Sequence, residues 1–207
     1  MSIHTHNRYT CYLIAFILLF NVGFTFRTAE KDDLLVYDIT FNDKKIGFLE
    51  VRRRMANELW HYSFISRVHY NLPIKNLDIR FDIESTFSDN HLIRSSSNER
   101  INNEIRSSCL VNKSESGYRI VSDKNTYLLD SSHISYSLTM LYYNKPERNR
   151  HVFSERYGRY LPLHRVNEDK YMLILPGGSK NFYTYSGGIC KIVDAAVPFG
   201  KLQFKLQ

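Results

Sequence analysis

Leu77-Asp-Ile-Arg-Phe-Asp-Ile-Glu84 alternates apolar and charged residues without a break. Successive side chains of a strand point to opposite faces, so Leu77, Ile79, Phe81 and Ile83 share one side. Asp78, Arg80, Asp82 and Glu84 share the other. One face meets a core and the other meets water. A slip of one residue would exchange them, so this register is specified by the segment's own composition.

The same rhythm runs outward in both directions. Toward the N-terminus lie Trp60–Tyr70, ended near Asn71-Leu-Pro73, and the runs Val36–Phe41 and Ile46–Val51. Asn42-Asp-Lys-Lys45 between those two runs reads as a hairpin turn, because Asn and Asp bond their own backbone in tight turns. Beyond the turn Ser88-Asp-Asn90, His91–Asn98 and Ile101–Val111 pair, with Ser95, Ser97, Asn103 and Arg106 expected on their outer faces. After the loop Lys113–Gly117 come Tyr118–Ser122 and Thr126–Leu129. The C-terminal part returns to strands at Val152–Arg156, Tyr160–His164, Tyr171–Leu175, Asn181–Tyr185, Ile189–Val193 and Lys201–Leu206, with turns at Pro176-Gly-Gly178 and Ser186-Gly-Gly188.

One segment departs from period two. Ile134, Leu138, Leu141 and Tyr142 lie on one helical face behind Asp130-Ser-Ser132, and Asn144-Lys-Pro146 stops it. The spacing predicts a helix over 132–143, although the β-branched and aromatic content leaves a strand open. The whole is mostly β: a single curved antiparallel sheet or open β-barrel of roughly ten to twelve strands, with one short helix.

The first residues have a different character. Arg8 precedes the apolar run Cys11–Phe20, and Asn21, Gly23 and Arg27 follow. This is the layout of a secretory signal, assigning residues 1–29 to a leader helix and 30–207 to one β domain. The stretch is short for a spanning helix, which makes an uncleaved anchor the lesser alternative. The expected location is the periplasm or the cell envelope.

The chain has 207 residues, 14% aromatic, with 15 Tyr and 13 Phe. Aromatic side chains suit a half-buried pleated surface. The net charge of +7 is the mark of a basic surface, and its functional reading is attraction to an anionic partner such as a lipid headgroup or a membrane surface. No nucleic-acid signature occurs, and the oligomeric state is not encoded in any recognisable pattern. Cys109 and Cys190 are two thiols that an oxidising compartment could join, provided the fold brings them together. Asn112-Lys-Ser114 is a sequon with meaning only in a eukaryotic secretory pathway.

Catalytic signatures are missing. There is no HExxH, CxxC, Gly-x-Ser-x-Gly or Walker loop after the leader, so no metal or cofactor is expected. His61 and His69 lie on one strand face about 27 Å apart and cannot share an ion. Asp78 and Asp82 alternate with Arg80 as a solvent face. An enzyme would need His133, His151, Glu155 and Arg156 to converge.

The densest polar-aromatic cluster is Ser154-Glu-Arg-Tyr-Gly158. Its bland reading is a strand ending in a glycine turn. Its functional reading has Arg156 and Tyr157 gripping an anionic headgroup, with Leu138, Leu141 and Tyr142 of the helix acting as plug or lid of an apolar pocket.

Several segments carry a resemblance. They are Val36-Tyr-Asp-Ile39 with Lys45-Ile-Gly47, Ile134-Ser-Tyr-Ser137 with Leu141-Tyr142, Val152–Gly158, Leu175-Pro-Gly177 and Tyr183–Cys190. Together they resemble an uncharacterised domain-of-unknown-function family of secreted, β-rich proteins from Bacteroidota-type bacteria. That resemblance carries no activity to transfer. The layout is also similar to lipoprotein-carrier folds, in which a curved sheet wraps an apolar cavity partly covered by a helix. That analogy implies a non-catalytic module binding an apolar or amphiphilic anionic ligand such as a lipid. An envelope interaction protein with a packed interior, and an enzyme acting on envelope polymers, are the alternatives.

Overall fold

A computed structural model describes residues 31–71, 76–146, 150–197 and 200–207. The expected leader helix lies outside them. The described residues form one antiparallel sheet of fourteen strands, not closed into a barrel. Its strands are β1 (Lys31–Phe41), β2 (Lys44–Ala56), β3 (Leu59–Asn71), β4 (Asn76–Ser88), β5 (His91–Ile101), β6 (Glu104–Ser114), β7 (Gly117–Ser122), β8 (Thr126–Leu129), β9 (His151–Ser154), β10 (Arg159–Arg165), β11 (Lys170–Ile174), β12 (Lys180–Ser186), β13 (Ile189–Val197) and β14 (Gly200–Leu206).

Two meanders share this sheet. One runs β1 to β8 and the other β9 to β14, and they are joined by antiparallel pairing of β1 with β14, Tyr37 opposite Leu206 and Phe41 opposite Leu202. The margins are therefore β8 and β9, both short, which limits the unpaired backbone they expose.

Local chemistry explains the hairpins. Asn42-Asp43, Asn57-Glu58, Asp89-Asn90, Asn102-Asn103 and Gly187-Gly188 each put two consecutive residues at positive φ. That backbone matches the twist of the flanking strands, and Asn, Asp and Gly tolerate it best. Asn102-Asn103 places Ile101 at the end of β5 rather than the start of β6. Gly47 answers a different need: a Cβ there would lie 2.0 Å from the Arg67 carbonyl oxygen, so β2 and β3 approach at a point only glycine allows.

The expected helix over 132–143 is corrected to a 3-10 helix of five residues, Leu138–Tyr142. Residues 130–137 are irregular instead, because their backbone bonds to the sheet. Leu92 N donates to the Ile134 carbonyl (2.9 Å), and Phe153 N to the Tyr136 carbonyl (3.1 Å). The segment enters the curved sheet as a plug. Ile134, Leu141, Tyr142 and Tyr143 are buried there against Tyr62, Phe87, Leu92 and Tyr118. Tyrosine hydroxyls fasten it: Tyr143 donates to the Val51 carbonyl, Tyr185 to the Leu141 carbonyl, and Tyr118 to the Leu92 carbonyl while accepting from Ile134 N. A buried tyrosine needs such a partner for its hydroxyl.

One expectation about faces is overturned, and one open question about bonds is answered. Ser95 and Ser97 are 5% and 2% exposed, so they point inward on β5 rather than outward. They join Ser85 in a polar strip opposite the plug. Cys109 and Cys190 are both buried free thiols, not a bridge. They sit on β6 and β13, in different meanders, and burial pushes both thiols up, to about 11 and about 12.

Candidate functional site

The turns 42–43 and 102–103 lie at one end of the sheet; the plug enters from the other. At the turn end, inward side chains leave a half-open cup of about 170 Å³. Leu138 and Tyr142 form its floor. Phe64 and Phe81, Tyr183 and Phe204 face one another across it. Edge-to-face rings hold this wall, with Phe64 at 5.6 Å from Phe81 and 5.6 Å from Tyr142, a preferred aromatic geometry.

Arg156 and Tyr157 stand on the cup's rim. They sit in the tight turn between β9 and β10, where Gly158 takes φ +64° and a Cβ would meet Ile120 Cγ2 at 2.5 Å. The Arg156 guanidinium lies 5.3 Å from the Phe81 ring centroid and 5.4 Å from that of Tyr157, within range of cation–π attraction. It also donates to Glu99. Asn181 also lies in the wall, its Oδ1 buried with no hydrogen-bond partner among the described residues.

The preceding residue, Glu155, is fully buried and does something else. Its carboxyl accepts from Leu138 N (3.2 Å), Thr139 N (3.4 Å) and Thr139 Oγ1 (2.9 Å). It thus satisfies free N–H groups at the start of the 3-10 helix, the role of a cap supplied from the turn after β9. Ser97 Oγ donates to the Glu155 carbonyl oxygen (3.2 Å), which ties the turn across to β5. Burial raises the Glu155 carboxyl above its ordinary value, and the hydrogen bonds from Ser137 and Thr139 oppose that rise.

The structure therefore brings four of the residues singled out in the sequence, Leu138, Tyr142, Arg156 and Tyr157, to one cavity. Leu141 is fully buried deeper in the plug and is not among the cup's walls. The polar residues that an enzyme would have to gather are dispersed. His133 stacks on His91 with centroids 4.0 Å apart, His151 is exposed at the start of β9, Glu155 caps the plug and Arg156 faces the cup. Among the described residues no group of three His, Cys, Asp or Glu side chains is placed to hold a metal.

Sequence reasoning missed Glu99, Asn181 and the buried role of Glu155. Glu99 is recognisable only once β5 is brought across to the turn after β9. Glu155 meets Ser85 and Ser97, serines whose inward placement the alternation of their strands did not reveal.

No curated protein and no solved structure matches the chain. Residues 37–207 match the family model described as a domain of unknown function (DUF6134), and the chain belongs to that family.

Proposed function

We propose that this is an exported, non-catalytic binding protein for a small anionic amphiphile, held with its apolar end in the cup and its acidic group at Arg156. The observation that carries this reading is the placement of one cation on the rim of an apolar cavity. A few polar groups in an otherwise apolar wall orient a ligand in this way. The cup's size sets the apolar end. A cavity of about 150 Å³ accommodates a benzene ring, so the cup suits a ring or an alkyl run of about six carbons, not the full acyl chain of a membrane lipid.

That same size favours a second reading, an envelope interaction protein with a packed interior. Calorimetric titration with alkyl carboxylates of four to sixteen carbons separates the two. Each buried methylene contributes about 0.8 kcal/mol, so affinity should climb with length and level off once the cup is full. Ala195→Phe, which fills the cup from β13, should abolish that climb. No binding at any length, or binding indifferent to Ala195→Phe, overturns the proposal and leaves the interaction reading.

A further inference from the structure

Arg156 and Tyr157 also line a second space. A cleft of about 630 Å³ opens where the sheet fails to close, between β6–β8 on one side and the turn after β9 on the other. This lies within the range of small-molecule sites. Its charged walls are Arg106, Lys124, Arg156 and Arg159 against Glu99 and Asp123, with Glu104 beside Arg106 as a further carboxylate.

All three carboxylates are already engaged. Asp123 accepts from the Ser108 backbone N–H at 2.6 Å and from the Ser108 hydroxyl. Glu99 accepts from Arg156 and from Ser107 Oγ. Arg106 pairs with Glu104 at 3.2 Å. Among the described residues, neither Lys124 nor Arg159 is in an ion pair, and both are exposed.

We infer that this cleft binds the phosphate group of a short-chain phosphate monoester whose apolar end occupies the cup. The inference rests on the binding function proposed above and specifies its headgroup. Lys124 and Arg159 are two cations outside ion pairs on one cleft, and a phosphomonoester, which carries about −1.5 to −2 at neutral pH, can meet both where a carboxylate brings a single charge. Guanidinium groups suit phosphate oxygens because their forked donors match two at once. The cleft and the cup meet at Arg156 and Tyr157, so one ligand can occupy both. A free sugar phosphate presents the same group without the tail.

The test is calorimetric titration of the full chain with octyl phosphate, octanol and glucose 6-phosphate, repeated with Lys124→Ala/Arg159→Ala. Those two exposed side chains take no part in the core, so the variant folds as the parent does. The expected result is at least a tenfold loss of octyl phosphate affinity in the variant, with octanol binding unchanged and a shallower dependence on salt. If octanol binds the parent as tightly as octyl phosphate does, the cleft inference falls and the cup remains. If glucose 6-phosphate binds as tightly as octyl phosphate and octanol does not bind, the phosphate site holds and the cup reading falls. An unchanged octyl phosphate affinity in the variant overturns the inference.

Discussion

The two ends of the sheet's interior are finished in opposite ways. At the plug end, Tyr62, Phe87, Leu92 and Tyr118 close tightly on Ile134, Leu141 and Tyr143. At the turn end, Phe81, Leu175 and Phe204 are only partly buried and surround a cup. Both regions are aromatic and both belong to the same strands. The difference is one segment of chain: 130–146 packs the plug end and reaches the cup only with Leu138 and Tyr142. Packing is thus concentrated at one end, and the other is left open.

The sharpest way to break this comparison uses two leucines of the one 3-10 helix. Leu141→Ala should cost about 3 kcal/mol, because it empties a fully buried site. Leu138→Ala, at the floor of the cup, should cost about 1 kcal/mol, since a neighbouring cavity already exists there. Urea unfolding of the two variants measures both, and equal losses would show that the ends are packed alike.

Next in size is the cap between the ends. Glu155→Ala strands the N–H groups of Leu138 and Thr139 inside the protein and should cost about 2 kcal/mol. Gly158→Ala forces a Cβ against Ile120 at positive φ and should cost about 1 kcal/mol. Both loosen the plug from the turn that carries Arg156.

The smallest effect is one of pH. The folded-state value of Glu155 is raised above 4.5, so its neutral form is favoured by folding. The stability this contributes is present in acid and is lost as pH rises through the raised value. Asp123 behaves oppositely: hydrogen bonds from Ser108 lower its value, so its contribution is lost as pH falls below the ordinary carboxylate range. Glu155→Gln should therefore remove a decline in stability above pH 4.5 while leaving acid unfolding in place. Unfolding midpoints of parent and variant across pH 4–8 check this. A parallel pair of curves would place the Glu155 titration outside the folded protein's working range.

Much of this architecture was readable locally. Leu77–Glu84 declared its faces, and the Asn, Asp and Gly pairs marked hairpins because positive φ is a property of single residues. Signals failed where the cause is distant. Ile134, Leu138, Leu141 and Tyr142 keep helical spacing because a plug buries residues on several sides, yet the backbone of Ile134 and Tyr136 is claimed by Leu92 and Phe153. Cys109 and Cys190 carry no mark of being held apart. Four residues of the cup were named from composition and clustering, but their meeting depends on curvature, and the cleft depends on where the sheet does not close.

The union of β1 with β14 has a consequence for biogenesis. Strands β1 to β8 can zip together in sequence, each beside its predecessor, as the polypeptide emerges. β1 must then wait with one bare margin until residues 200–206 arrive to cover it. During that interval Tyr37 and Ile39 lack the neighbours that later enclose them, and a stray strand could dock in place of the proper one. A chaperone that shields a growing chain would find its most useful grip there.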